Sequence, residues 1–598
     1  MNKPVGQLRP SQLITTFGPG SIVDLPDFSV IIGGINTWDR NTMLRHSYDI
    51  DEPRLTRKLG IKKIKSIPIP NENSGGFGTL PAYRFPEFHV CPNCRKLGTS
   101  YHFIDEEGIL FCQNPDKKCP KVKTHPVRFL TACKNGHIDD FPWGFYVHSK
   151  ENQKYDHRKC KLYLLDTGKT GSLADLIVRC ETCNLNRPLS QAFQNEKLLP
   201  RCQGKRPWLG KRNVDEKGCE QQRKLLLRGA SNLYFPVIES SIVVPYQSNP
   251  LVELVRREID FENEELVGNK NNFQFYIRMN SELKQYDPEE LWSITQRLRF
   301  GHEENNDLLE PEWDAITSGH RIMDEPDFEV EVQESPSPQL SKLIRVKRLK
   351  AVMVLRGFTR INPLPDATQR YSGEDSEDEE NNSESNMAPI TDVRAEWLPG
   401  VETFGEGIFI ALNEEKLNHW VDQHQDYENQ LESIHINQYR ERYIPDDAIP
   451  EFPGLRYVLL HTLSHALIRE LCLHSGYSAS ALKERIYSDS SKGMAGILIY
   501  TATVDSEGSL GGLVELGKTE NFKPILSRAL TAAGYCSGDP LCAEHDSVEL
   551  RDINGAACHS CMLIAETSCE KSNRYLDRSV LVSTVANKGR EYFHIGQI

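Results

Sequence analysis

The sequence predicts an α+β protein of several domains, with small zinc-ribbon-like β modules inserted in the chain and a C-terminal α/β zinc-binding domain. The first observation is length, since 598 residues correspond to several domains of about 150 residues each. The second is cysteine spacing, since twelve of the sixteen cysteines form three sets of four that each contain a Cys-x-x-Cys pair. The third is that segments with strand-like and helix-like apolar periodicity alternate along the remaining chain.

The expected units follow the chain in order. They are a mainly β domain (1–88), a first zinc-ribbon-like module (89–135), a second zinc module with a basic loop (136–236), a mixed α/β domain (237–365), an acidic linker (366–390) and a C-terminal domain with the third zinc site (391–598). The linker is predicted to be disordered because its acidic, Ser- and Asn-rich composition buries too little apolar surface to offset its ordering entropy. An alternative interpretation is that it acts as an electrostatic shield over a basic groove.

The ends and the apolar runs of the chain bear on its location. The N-terminal residues carry no apolar segment behind their charges, so no secretory signal is expected. No run approaches the roughly 18 apolar residues that a membrane helix needs. We therefore expect a cytoplasmic protein, without a membrane partner or a small-molecule substrate. In a reducing cytosol, Cys-x-x-Cys pairs favour metal binding over disulfides.

Each cysteine set has a spacing that suits one Zn²⁺ ion, so three sites are expected. Two thiolates two residues apart lie on one tight turn, and a second pair completes the tetrahedron that zinc prefers. The predicted ligands are Cys91, Cys94, Cys112 and Cys119; Cys180, Cys183, Cys202 and Cys219; and Cys542, Cys558, Cys561 and Cys569. Cys536 is an alternative to Cys542 for the first position of the third set.

Other histidines and cysteines have weaker patterns. Cys133, His137, His157 and Cys160 are candidates for a fourth, mixed site, the alternative being a buried thiol and a hydrogen-bonded imidazole. His461 and His465 share one face of a strongly apolar helix. That spacing matches a zinc-protease helix, but Thr462 stands where the general-base Glu belongs, so hydrogen-bonded core histidines are the favoured interpretation.

The net charge is −13, but the charge is uneven. Residues 54–65, 197–228 and 340–362 carry net charges of +6, +7 and +7. Local basic faces on an acidic body still attract phosphates, because potential is set within about 8–10 Å. The candidate nucleic-acid contacts are Lys205, Arg206, Trp208, Lys211, Arg212, Arg345, Lys347 and Arg348. The alternatives are that the basic stretches are ordinary solvated faces and that Trp208 is a hydrophobic cap over its zinc module.

No catalytic constellation emerges from the sequence. Residues 512–519 match the phosphate-loop pattern formally, yet the apolar residues between the glycines alternate like a strand, so we reject a nucleotide site there. His148 and Lys150 begin a His-x-Lys nuclease motif whose acid is displaced by one position, to Asp156. We therefore predict a protein that is not an enzyme.

The chain resembles known families at both ends and in the zinc region. Segments 460–469, 496–500, 511–514, 554–561 (NGAACHSC) and 566–570 are similar to the zinc-binding domain of unknown function at the C-terminal end of some bacterial helicases. Segments 9–20 (RPSQLITTFGPG) and 136–143 (GHIDDFPW) resemble the DrmB family of the DISARM anti-phage system.

The resemblance implies a helicase partner, DrmA, whose ATPase motifs are absent from this sequence. It also implies that the pair binds phage DNA with free ends or overhangs, together with a methyltransferase and other subunits. It implies that the last zinc site uses Cys542, Cys558, Cys561 and Cys569. The leading hypothesis is thus a non-catalytic zinc-binding subunit beside a helicase; the alternatives are a nuclease or ATPase acting on its own and a pure assembly scaffold.

Overall fold

The computed structural model describes residues 8–38, 44, 47–68, 80–149, 153–168, 175–244, 254–255, 258–259, 263–300, 307–318, 327–363, 387–441, 446, 449–502 and 512–594. The first stretch of chain forms α1 (Pro10–Thr15), β1 (Ile22–Asp24), β2 (Ser29–Ile32), β3 (Asp49–Ile50), α2 (Pro53–Lys58), β4 (Lys63–Ser66) and β5 (Ala82–Arg84). Strands β1, β2 and β5 make a small antiparallel sheet.

The cysteine-rich region that follows is built from short strands. It contains β6 (His89–Val90), β7 (Lys96–Gly98), β8 (Ile104–Glu106), β9 (Ile109–Cys112), β10 (Val122–Lys123), β11 (His125–Pro126), β12 (Phe129–Ala132), β13 (Ile138–Asp140), α3 (Trp143–His148), β14 (Leu162–Asp166), β15 (Leu176–Cys180), β16 (Leu185–Pro188), α4 (Ser190–Gln194) and β17 (Lys224–Leu227). Among the described residues these strands form three sheets, ordered β10-β9-β8, β11-β6-β7-β14-β15-β16 and β13-β12-β17.

The middle of the chain alternates long strands with a helical segment. Its elements are β18 (Phe235–Val243), α5 (Glu264–Val267), α6 (Lys270–Met279), α7 (Pro288–Phe300), α8 (Leu309–Thr317), β19 (Glu329–Gln333), β20 (Leu340–Thr359), β21 (Ala388–Pro389) and β22 (Trp397–Leu412). The C-terminal part adds α9 (Glu414–Gln423), α10 (Gln425–Arg440), α11 (Gly454–Ser475), β23 (Leu482–Asp489), β24 (Met494–Thr501), α12 (Gly512–Glu515), α13 (Thr519–Ala533) and α14 (Ser547–Leu550).

A central sheet unites distant parts of the chain. The order of its main strands is β18-β20-β22-β24-β23. Strands β19 and β21 also pair with β20. Strand β4 pairs in parallel with β22 and antiparallel with β3. Residues of the predicted units 1–88, 237–365 and 391–598 therefore contribute strands to one sheet. The strand β21 lies at the end of the predicted linker 366–390, whose acidic residues lie outside the described residues.

The central sheet is buried on both faces, because successive strand residues point to opposite sides. On one face Ile408 and Ile410 join the apolar cluster that contains α11 and α13. On the other face Phe409 packs against Trp313 of α8, with ring centroids 5.5 Å apart. Within the described residues, no helix combines the length and apolarity needed to cross a membrane. The predicted mixture of helices, small sheets and cysteine-rich modules is confirmed.

Candidate metal centres

The first cysteine set comes together as the sequence spacing suggests. Cys91 and Cys94 lie on the turn between β6 and β7, Cys112 ends β9, and Cys119 precedes β10. The Sγ–Sγ distances are 3.6 Å for Cys91–Cys119 and 3.6 Å for Cys94–Cys112. A tetrahedron with Zn–S bonds of about 2.3 Å has edges of about 3.8 Å, whereas a disulfide measures about 2.05 Å. The geometry therefore fits zinc.

The second group joins parts of two predicted sites. Cys133 and His137 lie on the turn between β12 and β13, and they meet Cys202 and Cys219 from a later loop. The Cys133 Sγ atom is 3.5 Å from His137 Nδ1 and 3.9 Å from Cys219 Sγ. The hydrogen bond between Cys133 and Cys202 raises the pKa of Cys133 and lowers the pKa of Cys202 to about 4. The lowered pKa favours the thiolate of Cys202, and the thiolate is the form of cysteine that binds metal.

An outer carboxylate orients the histidine of this group. His137 Nε2 donates to Asp215 Oδ2 at 3.2 Å, and Asp215 also accepts a hydrogen bond of 2.6 Å from Arg206. This bond leaves Nδ1, on the cysteine side of the ring, free to bind a cation. Such carboxylate–histidine pairs are usual around zinc and increase the basicity of the ligand.

The third group consists of His148, Cys160, Cys180 and Cys183. His148 Nε2 is 3.5 Å from Cys160 Sγ, and Cys160 Sγ is 3.8 Å from Cys183 Sγ. His148 Nδ1 donates to the Gly144 carbonyl at 2.7 Å, which directs the Nε2 lone pair at the sulfurs. The sequence pattern missed this role for His148, because no regular spacing connects it to the Cys-x-x-Cys pair.

Two sequence predictions are therefore corrected. Cys180 and Cys183 do not share a site with Cys202 and Cys219, because Cys180 at the end of β15 and Cys183 after it group with His148 and Cys160, whereas Cys202 and Cys219 from a later loop group with Cys133 and His137. The predicted mixed site also divides: Cys133 and His137 go to one group and Cys160 to the other. His157 belongs to neither group; its carbonyl accepts from His102 Nε2 at 3.4 Å.

The C-terminal group contains Cys536, Cys542, Cys558 and Cys561. Its Sγ–Sγ distances are 3.4 Å for Cys536–Cys558, 3.7 Å for Cys542–Cys561 and 3.7 Å for Cys558–Cys561. Cys536 and Cys542 therefore both belong to this group, so Cys536 does not replace Cys542. The predicted ligand that the structure places elsewhere is Cys569, whose sulfur lies 3.1 Å from His461 Nε2.

The candidate nucleic-acid residues divide into buried and exposed groups. The Trp208 side chain is fully buried; it donates to the Pro389 carbonyl at 2.9 Å and packs against Phe358. The stacking role predicted for Trp208 is therefore wrong, and its packing role is the correct alternative, although it packs on the central sheet rather than over a zinc module. In the same loop Lys211 is 78% exposed and lies 3.5 Å from Glu87, and Arg212 is exposed. Lys205 is half-exposed beside Asp139, and Arg206 is held by Asp215.

The candidate cations of β20 lie against carboxylates. Arg345 is 8% exposed and pairs with Glu331 and Glu515 at 3.1 and 2.7 Å. Lys347 pairs with Glu329, and Arg348 is exposed opposite Glu329 in the strand register. The prediction of an open basic face on β20 is corrected, because β19 places an acidic strand beside it.

The rejected phosphate-loop match is helical rather than strand-like. Residues 512–515 form α12, and Lys518 Nζ pairs with Glu515 at 2.7 Å. A phosphate loop needs backbone N–H groups that curl around a phosphate after a strand. The expected strand was wrong, but the helix and the ion pair also disfavour a nucleotide site.

Comparison with known proteins shows which family the chain belongs to. Residues 9–235 match a family model described as a domain of unknown function, and residues 463–562 match the MrfA Zn-binding domain. The DISARM protein DrmB of Bacillus paralicheniformis is 35% identical to this chain over 592 residues, which cover 96% of this chain and 99% of that protein. This chain belongs to the DISARM protein DrmB family. The resemblance seen in the sequence is thus confirmed, and a zinc-binding domain contains the C-terminal tetrad.

Proposed function

We propose that this protein is a zinc-stabilised, non-enzymatic subunit of a DISARM anti-phage complex, which partners the helicase DrmA and contacts DNA through the loop of residues 202–219. Membership of the DrmB family supports the assignment to DISARM. The observation that carries the DNA contact is the basic loop held by the second metal group. Cys202 and Cys219 lie at the two ends of this loop, so one zinc ion would tie its ends together.

The loop is suited to binding phosphates because its backbone is held in place while its cations face solvent. Its middle is anchored by buried Trp208, while Lys211, Arg212 and Lys217 are exposed to solvent. A preorganised loop loses less conformational entropy on binding than a flexible one. Cations at this spacing would bind the DNA backbone, which gives affinity without sequence preference.

The other two basic stretches support this choice because more of their cations lie against acids, whereas Arg212 and Lys217 of the loop are exposed and Lys211 stays 78% exposed beside Glu87. In residues 54–65, Lys62 pairs with Glu396, while Lys63 and Lys65 both lie against Asp49. In residues 340–362, Lys350 pairs with Glu402, as Arg345 and Lys347 pair with the acids described above. Neighbouring strands therefore neutralise charges that the linear sequence places together.

We assign ATP hydrolysis to a partner because residues 512–519, which match the phosphate-loop pattern only formally, do not have the structure of a phosphate loop. Because this formal phosphate-loop match is a helix with its lysine paired to Glu515, we assign the motor activity to DrmA. Mg²⁺-dependent DNA cleavage or ATP hydrolysis by the purified protein, lost with Lys518→Ala, would contradict the non-enzymatic assignment.

The DNA contact is tested with the triple substitution Lys205→Gln, Lys211→Gln and Arg212→Gln in the complex with DrmA. We expect weaker DNA binding and a salt-dependence slope reduced by about 0.9 for each phosphate that the variant no longer neutralises. The matched control is Lys117→Gln, Lys121→Gln and Lys161→Gln, which removes equal charge from exposed positions on the first zinc module and from a lysine that pairs with its Asp116. Unchanged affinity and slope, or equal losses in both variants, would refute DNA binding at this loop; loss of assembly alone would favour a scaffold.

A further inference from the structure

A buried cluster beneath the C-terminal tetrad contains four potential ligands: two imidazoles, a carboxylate and a thiol. His461 and His465 lie one turn apart on α11, Glu484 lies on β23, and Cys569 lies in the C-terminal loop. All four side chains are buried, and their ligand atoms lie within 4.8 Å of one another. Sequence spacing could not reveal this cluster, because Glu484 and Cys569 are distant from the histidines in the chain.

The distances within the cluster are close to the edges of a zinc tetrahedron, one falling within their range and two lying a few tenths of an ångström below it. His461 Nε2 lies 3.0 Å from Glu484 Oε1 and 3.1 Å from Cys569 Sγ. His465 Nε2 lies 3.5 Å from the same Glu484 oxygen. Zn–N and Zn–O bonds of about 2.0–2.2 Å and a Zn–S bond of about 2.3 Å give edges of about 3.3–3.7 Å.

The hydrogen bond of His465 is the strongest argument for a cation. His465 Nδ1 donates to the Met562 carbonyl at 2.9 Å, so the neutral ring carries its lone pair on Nε2. That lone pair faces a carboxylate oxygen, and two acceptors repel each other unless a proton or a metal cation lies between them. His465 Nε2 and Glu484 Oε2 are both buried without a hydrogen-bond partner. Buried polar atoms normally have partners, so these two require an explanation.

The charge balance also fits a divalent cation. Among the described residues, the cationic groups within ion-pair distance of Glu484 are the two imidazoles, with no lysine or arginine. A carboxylate and a thiolate together carry −2, which a Zn²⁺ ion neutralises in a site closed to water. The Glu570 backbone N–H donates to Glu484 Oε1 at 3.1 Å and the Asn573 N–H donates to Cys569 Sγ at 3.2 Å, which orients both anionic ligands.

We propose that His461, His465, Glu484 and Cys569 form a structural zinc site, separate from the four-cysteine site of the same domain. Four protein ligands close the coordination sphere, so the site is structural rather than catalytic. It ties together α11, β23 and the C-terminal loop. Through Met562, which adjoins Cys561, it also lies directly beside the four-cysteine group.

The zinc content of the full-length protein tests this site. We expect Cys569→Ser and His465→Gln each to lower the zinc content by one equivalent per chain, as measured by elemental analysis. Cys536→Ser should remove a different equivalent, so that the double variant with Cys569→Ser loses two. Unchanged zinc content in both Cys569→Ser and His465→Gln would overturn the proposal, because the cluster would then be a hydrogen-bonded His–Glu–Cys core.

A second measurement on the unaltered protein applies if these variants fail to fold. With all five groups loaded, fifteen sulfur ligands are shared by five ions, an average of three sulfurs per zinc in X-ray absorption. Without the buried site, fourteen sulfurs are shared by four ions, an average of 3.5. Five equivalents with three sulfurs support the site, and four equivalents with 3.5 sulfurs refute it.

Discussion

The first zinc module and the C-terminal zinc domain hold similar four-sulfur groups in very different surroundings. In the first module, the cluster around the sulfurs consists of the cysteines themselves, with Phe103 and Val122 packed against them. The C-terminal group instead adjoins the largest apolar cluster among the described residues, which includes ten buried residues of α11 and six of α13. One module therefore depends on its metal for a core, while the other adds metal to a core that already exists.

The comparison shows that ligand chemistry alone does not set how much a fold depends on zinc. Structural zinc contributes an apparent binding free energy of about 10–16 kcal/mol in small zinc modules. Where little apolar area is buried, that free energy is folding free energy. Where a helix such as α11 is buried along most of its length, hydrophobic burial provides the driving force instead.

The largest expected effect comes from removing one ligand in each region. Cys94→Ser should expose the backbone of β8, β9 and β10, because these strands lose the metal that holds their sheet. Cys536→Ser should release its zinc but leave α11 and α13 protected. Hydrogen exchange followed by mass spectrometry measures both responses. Equal loss of protection in α11 and in the β8–β10 sheet would break the distinction between the regions.

A truncation in the C-terminal core should have the next largest effect. Leu463 is fully buried on α11, so Leu463→Ala should lower the opening free energy of that helix by about 2–5 kcal/mol. The matched control is Leu473→Ala on the same helix, where the side chain is 78% exposed and a change within about 0.5 kcal/mol is expected. Similar shifts in both variants, measured by hydrogen-exchange protection of α11, would contradict hydrophobic control of this domain.

A smaller effect is expected from the outer carboxylate of the second metal group. Asp215→Asn removes the charge that orients His137, so zinc affinity at this group should fall by about 10–100-fold. Competition with a chromogenic zinc chelator measures the change. The neighbouring substitution Glu216→Gln removes equal charge from an exposed position and should leave affinity unchanged. An equal effect of the two would mean that general charge, rather than the hydrogen bond, matters.

The sequence predicted individual metal ligands better than it predicted their grouping. Spacing identified the pair Cys180 and Cys183 because two positions on one turn are close in any fold. It could not assign Cys202 to Cys133, since that pairing depends on how a hairpin and a distant loop meet. Basic residues show the same limit: Arg345 looks open in the sequence, yet Glu331 reaches it from the next strand.

The sequence by itself therefore determined the mixed fold class, the turns that carry Cys-x-x-Cys pairs, the apolar character of α11 and the membership of the family. Only the tertiary structure decided which pairs share a metal group, that His148 and Glu484 join such groups, and which cations remain exposed. The physical reason is range: turn geometry and helical periodicity act over a few residues, whereas tetrahedral coordination and charge neutralisation join atoms that only the folded chain brings together.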